Sequence, residues 1–187
     1  MEQVCDDLTA ETAALRAVAA GLDEDAWRQP TPAEGWDSKD TVAHLASGDW
    51  AAALAASSPD EFLVVKEQLL NEDVDLLAVC GRDVPAMSGA EIWQWFESER
   101  TSMIAAFRPH GPKDRIPWVG PDMSALSFAT ARLMETWSHG ADIADTQGAD
   151  WPATDRLRHI AHLGVTTRGW SYANRGLEAP IAPSSSN

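Results

Sequence analysis

The sequence of 187 residues carries 29 acidic against 14 basic side chains, a formal net charge of −15. Such a chain repels phosphate backbones and anionic lipid surfaces, so nucleic acid and membrane are set aside as partners in favour of a small molecule. The length fits one domain, and 44% hydrophobic residues are enough for a sizeable core. No apolar run approaches the roughly 20 residues of a membrane span. The opening "MEQVCDDLTA" is acidic and lacks the pattern of a signal peptide. Cys5 and Cys80 form no CxxC pair, and a reducing, cytoplasmic setting is expected.

Helical periodicity dominates the chain. Val4, Leu8, Leu15, Val18 and Leu22 fall on one stripe, which predicts a first helix over 2–22. Pro30, Pro32 and Gly35 break the following segment into a loop over 23–37. Asp37 or Ser38 caps a second helix to about residue 56, with Asp40 in its first turn. Ser58-Pro59-Asp60-Glu61 has the form of a capping box opening a third helix. Residues 71–87 are mixed and acidic, a loop with a short helical piece. Ser88 and Glu91 repeat the capping spacing before a helix over 89–108, which "RPHGP" closes. After a loop over 109–121, Pro121, Asp122 and Ser124 open a long helix that ends at Gly148. Thr154 begins the last helix, which runs to Asn174 with Gly176 as its stop. No strand, repeat or nucleotide-binding glycine loop is expected. The architecture is all-α: four main helices in a bundle with an accessory helix over 1–176, then a linker-like tail, 177–187.

Two of the five histidines sit in helices that read as core-facing. His44 lies in "TVAHLASGDW", among Val42, Leu45 and Ala46. Glu135 and His139 lie in "ARLMETWSHGAD", four apart, so their side chains stack on one helix face. Leu126, Ala129, Leu133, Trp137 and Ala144 form the neighbouring apolar stripe. Two imidazoles and one carboxylate with a fourth position open are the ligand set of a catalytic zinc site, and iron(II), nickel or manganese accept it too. The spacing also suits an ion pair on a solvated helix or a hydrogen-bonded core histidine. His159 and His162 on a polar helix start, and His110 in a turn, carry no such pattern.

"TPAEGWDSKDTVAHLA" followed by "ARLMETWSHGADIAD" resembles the DinB-like, mycothiol-dependent maleylpyruvate isomerase family, from about residue 5 to 176. "RGWSYANRGLE" is similar to the end of the metal-binding domain in an actinobacterial subgroup. The resemblance implies a DinB-like four-helix bundle with a divalent metal, commonly zinc, on His44, Glu135 and His139. It implies thiol chemistry: mycothiol or a relative, activated at the metal, adds to an electrophilic carbon. Elimination after rotation then gives an isomerase, and retention of the adduct a transferase. Relatives often carry a further C-terminal α/β domain that helps build the thiol site, and the metal site is expected to be independent of it.

Around that centre, Asp142 is placed to orient His139. Arg168 and Arg175 are candidates to clamp a carboxylate or thiol conjugate. Trp50, Trp137 and Tyr172 are candidate pocket walls. Nine tryptophans against one tyrosine also suit plain core filling. Three functions fit the pattern: a metal-dependent thiol transferase or isomerase, a thiol-free isomerase, cyclase or hydrolase acting on a specialised metabolite, and a non-catalytic metal-binding stress or interaction module. An open fourth ligand position favours the enzymes. A homodimer is an expectation common to bundles with exposed apolar faces.

Overall fold

The computed structural model describes residues 1–72 and 74–180. It divides into two compact units, Met1–Ala153 and Thr154–Asn187. The first unit is a bundle of four long helices, α1 (Glu2–Ala19), α3 (Ser38–Ser57), α6 (Gly89–Phe107) and α7 (Ala125–Gln147). Shorter helices join them: α2 (Glu24–Trp27), α4 (Pro59–Asn71) and α5 (Leu76–Val79), with a 3-10 turn at Val84–Ala86. The second unit holds α8 (Leu157–Asn174). Among the described residues no helix is long and apolar enough to cross a membrane.

Local chemistry fixes where the bundle helices begin. Asp37 and Asp40 form a reciprocal capping box at the start of α3, and Ser88 and Glu91 do the same for α6. The Ser124 side chain caps α7, and Gly148, at φ 62°, ends it in the left-handed conformation. The centre of the bundle is α3, whose buried face is built from small residues such as Ala43, Ala46, Ala51, Ala52 and Ala55. Small side chains let the aromatic face of α6 pack closely, and α3 meets α6 more extensively than any other pair of elements does. The second large contact joins α1 to α7, and a smaller one joins α3 to α7.

Two apolar clusters fill the interior. One gathers Leu8, Ala51, Ala52, Met103, Phe107, Phe128 and Leu133. The other gathers Leu15, Trp27, Leu45, Ile92, Phe96 and Ile143. Along each long helix a polar residue stands between the two sets. Asp49 of α3 is fully buried and accepts from Arg100 Nε at 2.6 Å and from Arg132 Nε at 2.9 Å. Arg100 also donates to the Thr12 and Thr136 hydroxyls at 3.0 and 2.7 Å, and Arg132 donates to the Leu45 carbonyl. This layer links α1, α3, α6 and α7. Gly48 makes room for it, since a Cβ there would stand 2.7 Å from the Arg132 guanidinium nitrogens.

The periodicity places the long helices correctly, and the differences have local causes. The first helix stops at Ala19, three residues before the last position of its apolar stripe. Asp23 caps a short α2 inside the expected 23–37 loop, with its side chain accepting from Ala26 N. Ser58 precedes α4 as expected but makes no side-chain cap, because its backbone lies at φ −140°, ψ 68° rather than in the usual extended capping conformation. Contrary to the all-helical expectation, β1 (Arg115–Ile116) pairs antiparallel with β2 (Met123–Ser124). Two residues per strand are too few for alternation to register in a sequence. The last helix begins at Leu157, not Thr154, and lacks a side-chain cap. Of the expected tail, 181–187 lie outside the described residues.

Candidate metal centre

Three of the singled-out side chains meet where α3 and α7 touch. The capping box at Asp37 sets the phase of α3, and His44 follows two turns later on the side turned to α7. On α7, Glu135 and His139 stand one turn apart. His44 Nε2 lies 3.2 Å from Glu135 Oε2, and His139 Nε2 lies 3.5 Å from the same oxygen. One ligand atom from each residue lies within 4.8 Å of the other two. The two imidazoles meet edge to face, centroids 5.1 Å apart. Trp36, from the loop before α3, packs its ring against both, at 4.9 Å from His44 and 5.7 Å from His139.

Asp142 stands on the far side of His139, its Oδ2 3.0 Å from Nδ1. That contact favours a proton on Nδ1 and leaves Nε2 to face Glu135. Burial pushes the Glu135 carboxyl up, but hydrogen bonds from His139 and His44 and the charge of Arg132 outweigh it. The group is held well below the usual carboxylate range. Burial pulls His139 down, yet its contacts with Glu135 and Asp142 prevail and raise it. A neutral His139 with its proton on Nδ1 would point a lone pair at the lone pairs of Glu135. Such a meeting of acceptors calls for a cation between them, whether a proton or a metal ion.

The cluster is open on one side. The His44 and Glu135 side chains keep 32% and 30% of their surface, against 0% for Asp49 in the buried layer. A cavity of about 500 Å³ begins at His44 and is lined by Trp36, Asp40, Ser47, Asp75 and Leu77 among others. The donor set of two imidazole nitrogens and one carboxylate oxygen, with a free approach, suits a divalent ion that keeps an exchangeable position.

The other candidates are placed elsewhere or stand apart. Trp50 packs against the apolar cluster of Leu8 and Phe128, not around the cavity. Being six residues after His44 it leaves the helix on another face. Trp137 is half-buried on α7, and its Nε1 is enclosed without a hydrogen-bond partner among the described residues. Arg168 and Tyr172 belong to the second unit, where the guanidinium lies over the ring at 5.2 Å and Nη1 donates to the Pro180 carbonyl. Of the expected apolar stripe on α7, Ala129, Leu133 and Ala144 are buried and Leu126 is exposed. Asp40 and Trp36 lie inside the motif that carries the resemblance, but nothing in their spacing marks them as cavity walls. Asp75 carried only the general signal of an acid before a short apolar run.

Residues 8–144 match the family model for the mycothiol maleylpyruvate isomerase N-terminal domain. The chain belongs to that family. The matched segment contains His44, Glu135, His139 and Asp142, and ends before α8. Two uncharacterized proteins of Mycobacterium tuberculosis, from strains CDC 1551 and H37Rv, are each 39% identical over 180 residues, covering 95% of this chain and 69% of theirs. The crystal structure of a mutant mycothiol-dependent maleylpyruvate isomerase superposes with a TM-score of 0.71 at 17% identity, over 94% of this chain and 72% of that one. At that identity the likeness is one of fold, and it agrees with the all-α, DinB-like bundle expected of the family.

Proposed function

We propose that this protein is a divalent-metal-dependent enzyme of the thiol-dependent isomerase or S-transferase type, with the ion held by His44, Glu135 and His139. The observation that carries the reading is the convergence of two imidazole Nε2 atoms on one carboxylate oxygen at the mouth of a cavity. Membership of a family named for a mycothiol-dependent isomerase supports the thiol as co-substrate. When bound, the ion supplies a Lewis acid that makes a low-molecular-weight thiol acidic enough to attack at neutral pH, or polarises a carbonyl. Zinc is the first choice for this ligand set.

The protein's own groups do the positioning. Asp142 accepts from His139 Nδ1–H, which fixes the tautomer and aims Nε2 inward. Arg132 lies one turn before Glu135 on α7, and its charge favours the ionised carboxylate that a cation requires. The Trp36 ring closes one side of both imidazoles and limits their rotation. The cavity volume falls in the range that takes a small organic ligand. No residue beyond the ligands is assigned to bond making.

The test begins with metal analysis of purified protein by inductively coupled plasma mass spectrometry, wild type beside His44→Ala. About one equivalent in the wild type and its loss in the variant are expected. Carefully handled wild type without metal would overturn the ligand assignment. Titration of the cobalt-substituted protein with mycothiol then addresses the thiol. A changed ligand-field spectrum is expected, and an unchanged one at saturating thiol would leave only thiol-free chemistry at the same ion.

A further inference from the structure

The cavity beside His44 carries a charge pattern of its own. Asp40 and Asp75 line it, and among the described residues none of its lining is an arginine or a lysine. Both carboxylates are fixed by cap geometry. Asp40 Oδ2 accepts from the Asp37 N–H at 3.2 Å, and Asp75 Oδ1 accepts from the Ala78 N–H at 2.8 Å. Each has lone pairs to spare, since an ionised carboxylate offers about four acceptor sites. The indole of Trp36 lines the same cavity, an aromatic wall of the kind that attracts cations.

A carboxylate brought into this space would meet like charge with no guanidinium or ammonium to pair with it, and like charge is an effective means of rejecting a ligand. An ammonium group would find two fixed acceptors and an aromatic face. We infer that the part of the ligand lying beside the metal centre bears an ammonium group rather than a carboxylate, and that Asp40 and Asp75 select for it. This inference rests on the thiol reading above and specifies which thiols or thiol acceptors the site accepts.

Two small thiols of similar length separate the possibilities: cysteamine, which ends in an ammonium, and 3-mercaptopropionate, which ends in a carboxylate. Both are titrated into the cobalt-substituted full chain at neutral pH and low salt, with the ligand-field spectrum as readout. The two thiols differ in intrinsic acidity, so the quantity compared is the ratio of their dissociation constants in the wild type against that ratio in Asp40→Asn/Asp75→Asn. Asparagine keeps the capping oxygen, and circular dichroism checks that the helices persist. The expected result is a preference for cysteamine that falls about tenfold or more in the double variant. A ratio that does not move, in a folded variant that still binds cobalt, overturns the inference while the thiol reading stands. A cobalt spectrum untouched by either thiol overturns both. Should Asp40→Asn/Asp75→Asn fail to fold, the single variant Asp75→Asn and the salt dependence of the wild-type ratio decide in its place. A ratio unchanged from low to high salt overturns the inference, because screening must weaken a preference made by charge.

Discussion

Two clusters of ionisable side chains sit about one turn apart in the bundle; both draw on α3 and α7, and one of them adds Arg100 of α6. Asp49, Arg100 and Arg132 are sealed in the core, with exposures of 0%, 2% and 5%. Their charged atoms meet carboxylate, hydroxyl and carbonyl partners within the protein. His44, Glu135 and His139 are only part-buried, and both imidazole Nε2 atoms face one carboxylate oxygen beside a cavity. The first arrangement is complete without a visitor. The second is open to a visitor. The difference separates ionic groups that serve the fold from ionic groups available for chemistry, and it rests on satisfaction and access, not on residue type.

The sharpest break of this contrast is in stability. Asp49→Asn keeps the size of the side chain but takes from two buried arginines the carboxylate they share. Breaking a buried pair on one side costs about 3–5 kcal/mol. The expected outcome is a large drop in the urea midpoint with an unchanged slope. A loss below about 1 kcal/mol would mean that the layer is wetter than its exposures indicate. The reciprocal change, Glu135→Ala with His139→Ala, is expected to leave the helical circular dichroism in place while bound metal falls from about one equivalent to near zero. If stoichiometric metal survives the double change, the open cluster is not the binding site.

Asp142→Asn probes the same contrast more gently. The amide can still meet His139 Nδ1, but it gives up the charge that fixes the proton there. Changes of this outer-shell kind typically weaken metal binding by about 10–100-fold. Competition with a chelator measures it, and an affinity equal to wild type would make Asp142 a bystander.

The open cluster was the more legible of the two. His44, Glu135 and His139 could be picked out because the i, i+4 spacing on α7 is geometric and the motif around both stretches resembles a known family. The buried layer was not, because its members lie on three helices at positions 49, 100 and 132, and none has an ion partner on its own helix. One signal was present: "ASGDW" sets an aspartate and a glycine into a run of buried alanines, where a charge needs a partner and a glycine marks a close approach. The long helices were legible from apolar spacing and capping residues. The β1–β2 ladder was not, since two residues cannot show a period. The cap at Ser58 was legible in form but wrong in geometry, because a capping motif states which atoms are available and not the backbone angles that bring them together. The cavity wall was invisible for a related reason. Asp75 comes to line the same cavity as His44 only through the fold, and its own short helix offers no pattern to read.

The smallest effect tests whether closeness alone makes an ion pair matter. Arg16 Nε donates to Glu97 Oε1 at 2.7 Å, almost the length of the Arg100–Asp49 bond at 2.6 Å. The Arg16 side chain keeps 59% of its surface and Glu97 keeps 32%, so water screens both. Exposed pairs of this kind contribute about 0–1 kcal/mol, because the Coulomb gain is offset by hydration lost and by the entropy of holding two long side chains. Arg16→Ala is therefore expected to shift the urea midpoint barely beyond error, and raised salt is expected to shrink even that. A loss approaching that of Asp49→Asn would show that distance, not burial, sets the worth of an ion pair in this bundle. The contrast between the sealed and the open cluster would then have to be drawn on other grounds.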